Sequence, residues 1–200
     1  MHTLTILDWD DTLFPTNWVI STGINLHDIK VRSKFAFLFG ILDRAVFKLL
    51  EQLLLCGDVV IITNAMPEWV HTSMNVLPLT SQIIDSKINI ISARKLYQHH
   101  VETIDWKKHA FRDHFTRHYS NKKEDYQNVI SIGDAEYERR ALIQLYGWDD
   151  HQPGKRFLKT IRFIQVPSFT VLVDQLIVLT SVSRKICSLR KHVELEFGLK

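Results

Sequence analysis

Apolar residues cluster along the chain in short runs that predict five buried strands. Residues 3–7 form a run of apolar and β-branched residues that ends at Asp8, and Pro15 forces a turn soon afterwards. Similar runs lie at 58–64, 87–92, 128–134 and 160–166. Runs that are apolar at nearly every position are typical of parallel strands that are buried on both faces of a sheet.

Between these runs, apolar residues recur at the spacing of amphipathic helices. Such patterns lie at 35–55, 68–77, 104–119 and 137–146. A final pattern predicts one long helix from Thr170 to about Leu195. Residues 14–40, which follow the first strand, are expected to provide a flap or a small helical insert.

Strands that alternate with helices predict an α/β fold, namely a doubly wound, Rossmann-like sheet of five parallel strands with helices on both faces. The 200 residues, 46% hydrophobic and 24% charged, suit one globular domain spanning 1–200. The apolar stretch 171–182 is too short to cross a bilayer, Cys56 and Cys187 lie outside any metal-binding spacing, and the first residues lack a signal-peptide pattern. We therefore expect a cytoplasmic protein with no membrane partner.

Polar side chains stand where three of the predicted strands end. They are Asp8, Asp10 and Asp11 after the first strand, Thr63 and Asn64 on the second, and Asp134 on the fourth. The carboxyl ends of parallel strands meet at one edge of a sheet, where ligands of such folds bind. Carboxylates this close repel one another by roughly a few kcal/mol, so we expect a bound cation, raised pKa values, or both.

These residues resemble the motifs of the haloacid dehalogenase superfamily of phosphohydrolases. Its first motif, Asp-x-Asp-x-Thr after an apolar strand, is matched by residues 8–12, and Thr63 matches its second, a Thr or Ser that ends the next strand. Its fourth motif, Gly-Asp-x-x-x-Asp/Glu, is matched by Gly133, Asp134 and Glu138. The first and fourth motifs are specific in combination, and they occur here in the order of the superfamily.

The third motif of the superfamily is a lysine ahead of the fourth. Lys107, Lys108 and Lys95 are all candidates, and we favour Lys107 because it follows the apolar Trp106 and is predicted to lie off the apolar stripe of its helix. Asp11 departs from the Gly that most small-molecule phosphatases of this kind have at that position. An acidic residue there resembles the subset that includes eukaryotic protein phosphatases, which shifts the expectation toward a protein substrate.

The resemblance implies a Mg²⁺-dependent phosphatase. Asp8 would attack phosphorus to form an aspartyl-phosphate, and Asp10 would act as the general acid and then as the general base. Mg²⁺ would be held by Asp8, the backbone carbonyl of Asp10, and Asp134. The substrate phosphate would contact Thr63, Asn64 and Lys107, and the residues expected to support this site from behind are Thr12 and Glu138.

The short connections leave little room for a cap domain, so we expect an open site that suits a bulky or protein phosphate, with a small-molecule phosphate as the other possibility. A different class of function is a non-catalytic regulatory module of the same fold, which would engage a protein partner through 35–39 or the C-terminal helix. The presence of both Asp8 and Asp10 disfavours it. The net charge of +3 does not indicate a nucleic-acid partner, and no pattern indicates the oligomeric state.

Overall fold

The computed structural model describes residues 2–121, 126–148 and 156–198. Within them, the sheet has six strands: β1 (Thr3–Leu7), β2 (Gly57–Thr63), β3 (Asn89–Ser92), β4 (Asn128–Gly133), β5 (Phe157–Arg162) and β6 (Val193–Glu196). All neighbouring strands are parallel, and their order is β3-β2-β1-β4-β5-β6. This confirms the predicted α/β class with an open parallel sheet. The winding reverses at β1, which places the switch point at the centre of the sheet.

Helices cover both faces of this sheet. They are α1 (Thr16–Ser21), α2 (Ile29–Leu54), α3 (Pro67–Met74), α4 (Pro78–Lys87), α5 (Ala93–Tyr97), α6 (Trp106–Asn121), α7 (Glu136–Trp148) and α8 (Phe169–Ser188), with a 3-10 turn at Thr103–Asp105. Apolar residues of α2, α3, α4 and α8 form one core cluster, and those of α5, α6 and α7 form another. Side chains of β1 contribute to both clusters, because Leu4 and Ile6 belong to the second cluster and Leu7 belongs to the first.

The prediction of five strands is wrong, because the chain turns into a sixth strand where one continuous helix was expected. The last helix ends at Ser188, and β6 begins at Val193. From Val193 onward, apolar residues alternate with Glu194 and Glu196, which is the period of a strand and not of a helix. Just after β6, Phe197 packs edge-on against Phe163, with 5.1 Å between ring centroids.

Residues 14–40 contain α1 and the first turns of α2, so this segment is helical on both sides of a short loop. The N-cap of α2 is Asp28, whose side chain accepts a hydrogen bond from the backbone N–H of Lys30 at 2.8 Å. An aromatic layer joins this segment to the core, because Phe14 stacks on Phe39 and Trp18 packs on Phe169 with ring centroids 6.3 Å and 4.9 Å apart. Over the described parts of the chain, none of the helices has the length and apolar character needed to cross a membrane.

Candidate active site

Asp8 lies at the carboxyl end of the central strand β1, and the residue is 5% exposed. Its backbone N–H donates to the carbonyl oxygen of Ile132 at 2.9 Å. The preceding Leu7 pairs with Ile61 of β2 and Ile132 of β4. This parallel register brings the ends of the three strands together, so that Asp8 lies between the strand that ends in Thr63 and the strand that leads into Asp134.

A buried lysine faces Asp8 from the first turn of α6. The Nζ of Lys107 lies 2.7 Å from Oδ1 of Asp8 and also donates to Oε1 of Glu138, and the Lys107 side chain is 2% exposed. Burial alone would lower the pKa of Lys107, but the charges of Asp8 and Glu138 raise it above its ordinary value. The lysine therefore keeps its charge over the whole physiological pH range.

Of the three candidate lysines, only Lys107 contacts Asp8 within the described residues. Lys108 pairs with Asp105 at 3.5 Å, and Lys95 is exposed on α5. The reason given for Lys107 from the sequence is wrong, because Lys107 lies three and four residues before the buried Ala110 and Phe111 and therefore shares their helix face. The lysine is buried because this face of α6 packs on the sheet next to the two carboxylates.

Glu138 supports this ion pair from the first turn of α7, where it is 3% exposed. Its Oε2 accepts a hydrogen bond from the backbone N–H of Ala135 at 3.2 Å, while its Oε1 accepts from Lys107. A Cβ atom on Gly133 would lie 2.6 Å from Oε2 of Glu138, so only glycine leaves room for this carboxylate at the end of β4. The glycine and the acid of the fourth motif are thus linked by direct packing.

Asp10 is held by two donors from different helices. The indole Nε1 of Trp69 on α3 donates to Oδ1 of Asp10 at 2.9 Å, and the hydroxyl of Thr16 on α1 donates to the same oxygen. The pKa of Asp10 is raised, chiefly by burial and also by the charge of Asp8, against the effect of these two hydrogen bonds. Sequence reasoning did not find either donor, since neither lies at a fixed spacing from the motif.

Asp11 connects the end of β1 to the start of α1. It is 3% exposed and adopts φ of 52°, a conformation that Asp tolerates better than most residues. Asn17 donates its backbone N–H at 3.0 Å to one carboxylate oxygen of Asp11 and its side-chain amide to the other. Asp11 therefore fixes the start of α1, and the protein substrate that its acidic side chain suggested stays a prediction.

Asp134 follows β4 and carries the clearest sign of uncompensated negative charge. Its pKa is raised to about 8, first by burial and then by the charges of Asp8 and Glu138, with Lys107 acting in the opposite direction. Several carboxylates therefore share one lysine. A divalent cation at this place would remove the excess charge, and carboxylate and carbonyl oxygens are the ligands that Mg²⁺ prefers.

The predicted magnesium set consists of the Asp8 and Asp134 side chains and the backbone carbonyl of Asp10. Within residues 2–121, 126–148 and 156–198, no group of three or more His, Cys, Asp or Glu side chains is arranged to hold a metal ion. The predicted set does not need one, because it has only two carboxylates. The donor types and the raised pKa of Asp134 fit a hard divalent cation.

Polar side chains at the ends of β1 and β2 have unused hydrogen-bonding capacity. Thr63 is fully buried, and its Oγ1 accepts from the backbone N–H of Ala65 at 3.0 Å. The buried Oδ1 of Asn64 and Oγ1 of Thr12 have no hydrogen-bond partner among the described residues. Buried polar atoms without partners are uncommon in folded proteins and are often completed by a water or a ligand.

Comparisons of the chain with protein-family models, with curated proteins and with solved structures found no significant match. The resemblance to the haloacid dehalogenase superfamily therefore depends on the motifs and on their placement in this fold. The motif residues at the carboxyl edge of the sheet are Asp8, Asp10, Thr63, Lys107, Asp134 and Glu138.

Proposed function

We propose that the protein is a Mg²⁺-dependent phosphatase of the haloacid dehalogenase type, which hydrolyses phosphate monoesters through an aspartyl-phosphate. The observation that supports this best is the contact of 2.7 Å between Nζ of Lys107 and Oδ1 of Asp8 at the end of the central strand. A buried cation beside a carboxylate can stabilise the charge of an incoming phosphoryl group. This contact joins the first and third motifs although they lie about a hundred residues apart.

In the first chemical step, a carboxylate oxygen of Asp8 forms a bond to phosphorus while the bond from phosphorus to the leaving oxygen breaks. Asp10 gives its proton to that oxygen, a role for which its raised pKa is suited. In the second step, Asp10 takes a proton from a water molecule, which attacks phosphorus and releases Asp8 and inorganic phosphate. Lys107 and the hydroxyl of Thr63 contact the phosphoryl oxygens throughout.

Asp8, Asp134 and the backbone carbonyl of Asp10 would hold Mg²⁺. When bound, the ion supplies positive charge that neutralises the carboxylates and orients the phosphate. A cation beside Asp134 would also favour its ionised form, since burial and the neighbouring carboxylates otherwise raise the pKa of Asp134 to about 8.

The test is hydrolysis of p-nitrophenyl phosphate with Mg²⁺ by wild type, Asp8→Asn and a control, Asp174→Asn, which changes an exposed aspartate of α8. We expect wild type and the control to turn over at equal rates, removal of the metal with EDTA to stop turnover, and Asp8→Asn to be slower by about 10³-fold or more. Wild type should also yield a hydroxylamine-sensitive phosphoenzyme that Asp8→Asn does not form. Equal turnover in wild type and Asp8→Asn, or none in either, would contradict the proposal.

For the substrate, we propose a bulky phosphate monoester such as a phosphoprotein, because the segment between β1 and α2 supplies only the six-residue helix α1. A panel of phosphopeptides, nucleotides and sugar phosphates tests this preference. The second candidate function is a non-catalytic module that binds a protein partner, and it is favoured by the exposure of Ile29 (69%) and Phe37 (76%) on α2. The aryl phosphate assay separates the two candidates.

A further inference from the structure

Three polar groups form a closed triangle beside the proposed nucleophile. Nε1 of Trp69 lies 2.9 Å from Oδ1 of Asp10 and 3.3 Å from Oγ1 of Thr16, and the Thr16 hydroxyl donates to the same Oδ1. Both donors therefore converge on one carboxylate oxygen. They come from α3 and α1, two helices that lie far apart in the sequence.

Trp69 is itself held in place by packing and hydrogen bonds. Its ring lies edge-on to Phe14, with 5.9 Å between centroids and 79° between planes. One turn further along α3, the Ser73 hydroxyl donates to the backbone carbonyl of Trp69 and accepts from Nε1 of Trp9 at 2.9 Å. Since Trp9 and Phe14 are fully buried, the indole of Trp69 rests on rigid neighbours and has a fixed direction.

We infer that Trp69 and Thr16 are positioning residues that orient Asp10 for proton transfer, an inference that rests on the proposed phosphatase function. A carboxyl oxygen of the carbonyl type accepts two hydrogen bonds while the other oxygen carries the proton. With Oδ1 of Asp10 occupied by both donors, Oδ2 is the oxygen that delivers the proton to the leaving group. Neither donor belongs to a motif of the superfamily that the sequence displays.

This arrangement affects poor leaving groups more than good ones. As the bond from Asp8 to phosphorus forms and the bond to the leaving oxygen breaks, the proton moves from Asp10 to that oxygen. Phenolate needs this proton, whereas 2,4-dinitrophenolate is stable enough to leave without it. Misdirecting Asp10 should therefore lower kcat/KM for phenyl phosphate and largely spare 2,4-dinitrophenyl phosphate, because kcat/KM reports the step in which the ester is cleaved.

The experiment compares the two esters in Trp69→Phe and Thr16→Val. General acid catalysis contributes about 10²–10⁴-fold, so loss of one positioning contact is expected to cost about 10-fold or more with phenyl phosphate. With the dinitrophenyl ester the loss should be much smaller. Thr16→Ser keeps the hydroxyl and should restore the ratio, and Trp18→Phe, which removes an indole from the neighbouring aromatic layer, should leave the ratio at the wild-type value.

Equal losses on both esters would show that Trp69 and Thr16 have only a structural role and would overturn the inference, as would wild-type kinetics in both variants. If Trp69→Phe does not fold, Thr16→Val with its Thr16→Ser counterpart decides the question alone, since Thr16 is only partly buried. If wild type hydrolyses both esters and each variant keeps the wild-type ratio of the two rates, this inference is contradicted and the phosphatase function stands. Wild type that hydrolyses neither ester contradicts both.

Discussion

Lys107 and Lys159 are both buried, but they face opposite surroundings. Lys107 is 2% exposed and lies against the carboxylates of Asp8 and Glu138 at the carboxyl edge of the sheet. Lys159 on β5 is fully buried, and its Nζ donates at 2.7 Å both to Oδ1 of Asn128 and to the carbonyl oxygen of Ile186. The acceptors of the first lysine are charged, and those of the second are neutral.

Because of this difference, the pKa values of the two lysines are shifted in opposite directions. Burial opposes the charge of both lysines, but the carboxylates raise the pKa of Lys107, while burial lowers the pKa of Lys159. Lys159 donates to carbonyls in the last turn of α8, where a helix lacks intrahelical donors and carries partial negative charge. Lys107, which lies among carboxylates, therefore belongs to a site with excess negative charge. Lys159, which lies among carbonyl oxygens, pairs with the last carbonyl groups of α8.

The largest effect is expected from Lys107→Met. Without the lysine, Asp8 loses the positive neighbour that would balance an approaching phosphoryl group, so kcat/KM for an aryl phosphate with Mg²⁺ should fall by about 10²–10³-fold. The matched control is Lys108→Met, which changes the adjacent, partly exposed lysine that pairs with Asp105. Activity near wild type in Lys107→Met would remove the main support for the catalytic site.

The opposite result is expected from Lys159→Met, which should leave hydrolysis unchanged but weaken the fold. The substitution removes the buried hydrogen bonds from Nζ to Asn128 and to the carbonyl oxygen of Ile186, so the free energy of unfolding should fall by about 1–3 kcal/mol. Urea denaturation measures this change. Lys185→Met, on the exposed side of the last turn of α8, should have almost no effect. A loss of activity with unchanged stability would show that the two lysines do not differ in role.

Much of the candidate site could be predicted from the sequence because its residues are defined by strand ends. Asp8, Thr63 and Asp134 each follow an apolar run, and parallel pairing then brings those ends together whatever the intervening loops do. For the third-motif lysine the sequence offers three candidates, and it favours Lys107 for a reason that the structure contradicts, since a lysine on a helix face that packs on carboxylates looks like a solvent-exposed residue in the sequence.

The remaining features depend on tertiary packing or on weak local signals. Trp69 reaches Asp10 across 59 positions, and no spacing rule links a tryptophan on α3 to the first motif. β6 was missed because its alternating pattern is only four residues long and follows directly on a helical one. The contact of Asp11 with Asn17 on α1 could not be predicted either, because no pattern in the sequence pairs these two residues.

A moderate effect on stability is expected when pH is raised, and the contributions of the two lysines to the free energy of unfolding should change in opposite directions. For Lys159, between its lowered pKa and the ordinary value of 10.5, the unfolded chain binds a proton that the folded chain does not, so its contribution to stability rises with pH. For Lys107, whose pKa is raised, the contribution is constant below 10.5 and is lost only above it. NMR titration of the lysine Cε signals should show Lys159 losing its proton first; simultaneous titration near 10.5 would contradict the comparison.

The smallest effect on stability is expected for an arginine at the surface. Nε of Arg139 lies 2.5 Å from Oε1 of Glu194, and this pair links α7 to the edge strand β6. Because both groups are well solvated, water and salt screen the attraction between them, unlike the attraction between the buried Lys107 and Asp8. Glu194→Gln should therefore shift the urea midpoint far less than Lys159→Met does, and 1 M NaCl should abolish the shift.

β6 has other reasons to stay in place after Glu194→Gln. Its backbone pairs with β5 from Lys159↔Val193 to Arg162↔Glu196, and Phe197 packs on Phe163 just beyond it. Amide hydrogen exchange in β6 should thus be unchanged in this variant and faster in Phe197→Ala. If Glu194→Gln instead shifted the midpoint as much as Lys159→Met, ion pairs rather than backbone pairing and apolar packing would hold the edge of the sheet.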